Sequence, residues 1–167
     1  MKSKLALALI GFVALTALCA SAQTPQKSFD TMKSLTGTWV GKDPTGSPMD
    51  VTYRVTSGGS ALLGELKKSM QGGAEDMISM INLDGDRLLL THYCTAGNQP
   101  RMSATASPDG KTITFTMVDA TNLPNPQAMH MGRVVFTFVD PNHHTEDWQI
   151  LDHGKEMIGH LEFERKN

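Results

Sequence analysis

The sequence predicts an all-β chain: a single antiparallel up-and-down β-barrel of about ten strands, preceded by a cleaved signal peptide. Three observations carry this expectation. From Thr36 onward apolar residues recur with period two, turn signals arrive roughly every ten positions, and no long stretch beyond residue 22 has helical period.

The opening segment combines Lys2 and Lys4, an apolar run over 5–18, and Ala20-Ser21-Ala22 before Gln23. A basic start, a short apolar core and a small-residue cleavage site form a secretory signal peptide over 1–22. The run is too short for a membrane span, which needs roughly 20 apolar residues, and no second one follows. A lipoprotein site at Cys19 would want a small residue before it; Leu18 stands there, so cleavage after Ala22 is expected. The chain is therefore expected to be exported, to a periplasm or the medium.

Removing Lys2 and Lys4 from the 15 basic residues leaves 13 against 17 acidic ones, a net charge of −4. No basic block remains, so no nucleic-acid partner is expected. Cys94 is then the one cysteine left, and stability must come from the core rather than a disulfide.

Segment 23–35 reads as a leader: Gln23 to Lys27 is polar and loose, and Phe29, Met32 and Leu35 are spaced for a short helical turn from Ser28. The barrel domain occupies 36–167. Val51, Tyr53 and Val55 alternate with Asp50, Thr52 and Arg54, and Ile113, Phe115 and Met117 with Thr112, Thr114 and Thr116. Val134, Phe136 and Phe138 alternate with Arg133, Val135 and Thr137, and Met157, Leu161 and Phe163 with Glu156, His160 and Glu162. Asp84-Gly85 and Asp109-Gly110 are hairpin turns by composition. Hairpin-only connections favour closure, which removes exposed strand edges. The one long irregular link, 119–128 with Leu123-Pro124-Asn125-Pro126, has the length of a flap over one barrel end.

Gly37-Thr38-Trp39 on the first strand and Arg165 on the last resemble the signature of the lipocalin and calycin barrels. That resemblance implies a lipocalin-like barrel in which the arginine lies over the indole and closes one end, a cation–π contact of about 0.5–2 kcal/mol. It makes Trp39 and Arg165 stability residues. A second resemblance, to small exported bacterial proteins of unassigned function, runs through the stretches 83–94 and 96–102, Asp119-Ala120-Thr121-Asn122, Met129-His130 and 144–148. It implies fold and location, with no activity. Nitrobindin-type haem barrels also open with Gly-x-Trp, but their further glycines and aromatic-proline pair are replaced here by Gly41-Lys42-Asp43-Pro44.

The histidines give the candidate site. Leu88, Leu90, His92 and Cys94 share one face, and His130 shares a face with Gly132, Val134, Phe136 and Phe138. In an up-and-down barrel His92 and His130 reach the same rim, near Asn98, Gln99 and the 119–128 link. Val51, Tyr53, Phe115 and Phe136 are expected to line an apolar interior below, the form of a small-molecule pocket. His92, Cys94 and His130 are transition-metal ligands by type, yet their spacing matches no zinc motif. Met129 and Met131 should face away from His130, which argues against a copper site and for methionines filling barrel gaps. His143 and His144 read as solvated loop residues, His160 as solvent-facing, and Trp148 as core on a face shared with His144, Glu146 and Ile150. Glu146 and Asp147 face opposite ways. Cys94 with His92 lacks an orienting acid and an oxyanion arrangement, so no catalytic residues are assigned and a binder is favoured over an enzyme. The expected function is an exported barrel for a small apolar or amphipathic molecule. The alternatives are a haem or metal barrel using His92 or His130, and an envelope interaction domain without ligand.

Overall fold

The structure, a computed structural model, describes residues 23–43, 45–70 and 73–166; the expected signal peptide and its cleavage site lie outside them. Helix α1 (Pro25–Lys33) starts earlier than the turn expected from Ser28. Pro25 opens it, and the Thr24 hydroxyl caps it by accepting from the Lys27 amide at 3.2 Å. So the segment around Gln26 and Lys27 is helix rather than loose leader. Phe29 and Met32 of this helix, with Leu35 just beyond its end, form a buried stripe against one end of the barrel.

Ten strands follow: β1 (Gly37–Lys42), β2 (Pro48–Thr56), β3 (Ala61–Met70), β4 (Gly73–Asp84), β5 (Arg87–Tyr93), β6 (Gln99–Ala106), β7 (Thr112–Thr121), β8 (His130–Asp140), β9 (His143–Asp152) and β10 (Lys155–Arg165). Each pairs antiparallel with the next, and β1 pairs with β10, so the sheet closes into one up-and-down barrel as the sequence predicts. Among the described residues no helix is long and apolar enough to cross a membrane.

The two ends of the barrel differ. At the helix end, Trp39 Nε1 donates to the Leu35 carbonyl at 2.7 Å. The Arg165 guanidinium lies 4.1 Å over the Trp39 ring and donates to the carbonyls of Ser34, Thr36 and Pro141. Gly37, at φ 130°, is required here twice over, because a Cβ would also sit 3.0 Å from Arg165 Nη1. The half of the barrel above this plug is packed solid by Leu62, Ile81, Leu88, Met102, Ile113, Phe115 and Phe136, with the two phenylalanines edge to face at 5.9 Å.

Three local expectations are corrected. β7 continues through Thr121, so the irregular link is 122–129. His144 is not a loop residue; it lies on β9 at 1 % exposure. Met157, on the apolar alternation of β10, is half exposed near the open end, where packing runs out.

Candidate functional site

The chemistry collects at the end away from α1. A cavity of about 410 Å³ opens there, within the range of small-molecule pockets. Alternation places its lining side chains in tiers. On β2 the lining residues are Met49, Val51 and Tyr53; on β9 they are Ile150, Trp148 and Glu146. In each series the last is the deepest, and on β4 and β5 the deepest are Ser79 and His92.

The floor is therefore polar. Glu146 is 1 % exposed, and its carboxylate accepts from three side chains. The Tyr53 hydroxyl donates to Oε1 at 2.6 Å, His144 Nε2 lies 3.1 Å from the same oxygen, and Trp148 Nε1 donates to Oε2 at 2.9 Å. Burial and the neighbouring Glu146 charge hold the Tyr53 phenol well above its usual pKa, so it stays a donor. Gly64 makes this approach feasible, since a Cβ there would stand 2.6 Å from the Tyr53 ring. His144 is itself wedged edge-on to Trp39 at 4.4 Å and stacked on Phe163 at 5.1 Å, which fixes its reach toward Glu146.

His92 stands beside this network. Its Nδ1 lies 3.1 Å from Ser79 Oγ, its ring packs on Trp148 at 4.7 Å, and its Nε2 is buried without a hydrogen-bond partner. Burial lowers its pKa to about 4 against an opposing pull from Glu146, so the ring is neutral at pH 7. Above the floor the walls are apolar and sulfur-rich: Val51, Leu66, Met77, Met131, Ile150 and Leu161, with Met49, Met129 and the free thiol of Cys94. At the mouth Lys68 pairs with Asp43 at 2.7 Å. That ammonium, with Thr45 and the Thr45 and Ser47 amides, holds the Asp43 carboxyl far below the usual carboxylate range.

The structure brings only some of the expected residues together. His92, Val51 and Tyr53 line the cavity. Phe115 and Phe136 lie in the filled half. His130 reaches the open end but not the cavity, because β8 carries a bulge: the register with β9 shifts between Met131 and Arg133. Met131 thus faces Ile150 inside, while His130 pairs with Leu151 on the other face and holds the Ala128 carbonyl through Nδ1 at 2.7 Å. The bulge also turns Met129 and Met131 inward, as they do face away from His130. Asn98 ties the turn after β5 to the 122–129 link by donating to the Met129 carbonyl at 2.8 Å. Gln99 accepts from Thr121 at the outer rim. Glu146, Trp148, His144 and Ser79 are the functional side chains that sequence reasoning left without a role. Among the described residues no three His, Cys, Asp or Glu side chains form a metal-ligating group.

No protein-family model matches the chain, and no curated protein does. Solved structures do match in fold. The crystal structure of Rv2717c from M. tuberculosis superposes with a TM-score of 0.58 at 16 % identity, covering 84 % of this chain and 98 % of that one. A DUF3598-family protein of unknown function from Nostoc punctiforme gives a TM-score of 0.53 at 8 % identity, covering 91 % of this chain and 53 % of that one. At these identities the likeness is one of fold.

Proposed function

We propose that this barrel is an exported, non-enzymatic, lipocalin-like protein that binds one small apolar or amphipathic molecule in the cavity at its open end. The observation that carries the reading is the polar floor beneath apolar walls. A barrel serving only as a packed scaffold gains nothing from burying a carboxylate and an unpartnered His92 Nε2 beside empty space, since a buried polar atom left without a partner costs about 1–3 kcal/mol. The methionine collar suits a binder, because thioethers adapt to irregular ligand shapes. Native mass spectrometry of the protein as isolated tests the reading. The expected result is a small-molecule mass increment that disappears on denaturation, or, for protein isolated empty, saturable uptake of a neutral apolar probe such as 1-octanol that His92→Ala weakens and His130→Ala does not. An empty protein that takes up no apolar probe would overturn it.

A second reading has one specific observation in its favour. The buried Nε2 of His92, with Nδ1 steadied by Ser79, has the form of a haem-iron ligand whose second nitrogen is oriented by an outer partner. A visible absorption band that His92→Ala abolishes would favour it over the apolar ligand.

A further inference from the structure

We propose that the cavity takes its ligand head first and that the head is a protonated amine, with Glu146 as its counter-ion. This rests on the small-ligand reading above and narrows it to a ligand class: an aliphatic or arylalkyl ammonium compound.

Depth along the strands gives the orientation. The polar lining groups Tyr53, Ser79, His92 and Glu146 are the innermost lining residues of β2, β4, β5 and β9, whereas Met49, Met77, Cys94 and Ile150 lie nearer the mouth on the same chain segments. A molecule with one polar end matches the gradient on these four strands with that end inside and its apolar body in the throat.

The charge of the floor selects the head. Glu146 is acceptor-only as a carboxylate, and Tyr53, His144 and Trp148 all direct donor atoms at it. Tyr53 and Trp148 bring no positive charge. Burial keeps His92 neutral at pH 7. His144, with Nε2 3.1 Å from Oε1, is the one basic side chain paired with Glu146 among the described residues; no lysine or arginine reaches it, and Lys68, the ammonium of the cavity lining, is engaged with Asp43 at the mouth. A cation carried in by the ligand would give this buried carboxylate a partner that neither Lys68 nor any arginine of the described residues supplies. Three of the roughly four acceptor positions of Glu146 are taken, leaving one on Oε2. A carboxylate head is excluded by the same geometry, because it would meet Glu146 in a low-dielectric floor with no cation between them.

The test holds the tail constant and varies the head. Octylamine, 1-octanol and octanoate are titrated into the purified protein at pH 7, below their aggregation concentrations, by calorimetry and by the fluorescence of Trp148 and Trp39. Octylamine should bind about tenfold or more tighter than octanol, as one desolvated charge pair gives, and octanoate should bind weaker than octanol. Glu146→Gln should bring the amine-to-alcohol ratio to about one, and Glu164→Gln, an exposed carboxylate at the helix end, should leave the ratio unchanged. Octanoate binding as tightly as octylamine, or an amine preference that survives Glu146→Gln, overturns the proposal while leaving the small-ligand reading intact. If none of the three binds, the small-ligand reading itself fails. Should Glu146→Gln not fold, the head-group series on the unsubstituted protein decides alone.

Discussion

Acidification should weaken this protein through His92 in a defined window. The perturbation is the loss of a neutral ring from a site that cannot accept its charge. Burial against Trp148 lowers the folded-state pKa from the ordinary 6.5 to about 4, with Glu146 opposing the fall. Above pH 6.5 the ring is neutral in both folded and unfolded chains, and the interaction contributes its full stability. Between pH 6.5 and about 4 the unfolded chain takes up the proton first, so stability falls as pH falls; below about 4 the loss is complete. At about 1.4 kcal/mol for each tenfold change in proton affinity, the drop from 6.5 to about 4 corresponds to roughly 3 kcal/mol. That is a large part of the 5–15 kcal/mol or so that holds a typical domain together. His160 works in the opposite sense: Asp147 raises its pKa, so it contributes below 6.5 and loses that contribution as pH rises. Urea denaturation across this range, comparing the protein with His92→Gln, isolates the His92 effect as the difference between two curves. The protein should lose about 3 kcal/mol more than the variant. Parallel curves between pH 6.5 and about 4 would refute the burial argument.

Three further outcomes follow from the packing. Arg165→Met removes three hydrogen bonds to backbone carbonyls and the cation over Trp39, and should lower stability by about 2–4 kcal/mol in thermal denaturation; a loss below about 1 kcal/mol would contradict the closure described for the helix end. Phe136→Ala, in the solid half, should cost about 3–5 kcal/mol of stability and leave octanol affinity within about twofold of the parent by calorimetry. Gly64→Ala drives a methyl into the Tyr53 ring, so it should cost about 1–3 kcal/mol and also weaken amine binding by displacing the hydroxyl from Glu146.

The barrel itself was legible because a half-buried antiparallel strand writes its two faces into alternate residues. Ile113 and Phe115 on β7, and Val134 and Phe136 on β8, are buried as their alternation requires. The Trp39–Arg165 contact was legible as well, since its two residues bracket the barrel and meet by closure. The site was legible only in part. His130 was projected inward by counting in twos along β8, and a bulge at Gly132 shifts that count by one; an isolated glycine inside an alternating strand is the signal for such a bulge, and the count passed over it. Glu146 was missed for a different reason. His144, Glu146, Trp148 and Ile150 could be placed on one face of β9, but an acidic residue on a strand normally marks the solvent side. What turns that face inward is Tyr53, 93 positions away, and the pairing that joins them exists only once the ten strands have closed. A charged residue flanked at i ± 2 by histidine and tryptophan was the one available hint.

On the proposed function, the open end of the barrel receives the ligand, and its packed half and outer face do not. Methyl resonances of the methionines report on it directly, because Met49, Met77, Met129 and Met131 line the cavity while Met32 and Met102 are sealed in the packed core. In protein labelled with carbon-13 at the methionine methyls and titrated with octylamine, the first four should shift in saturable fashion and the last two should stay in place. Uniform shifts across all six, or shifts confined to Met32 and Met102, would place the ligand elsewhere than the open end.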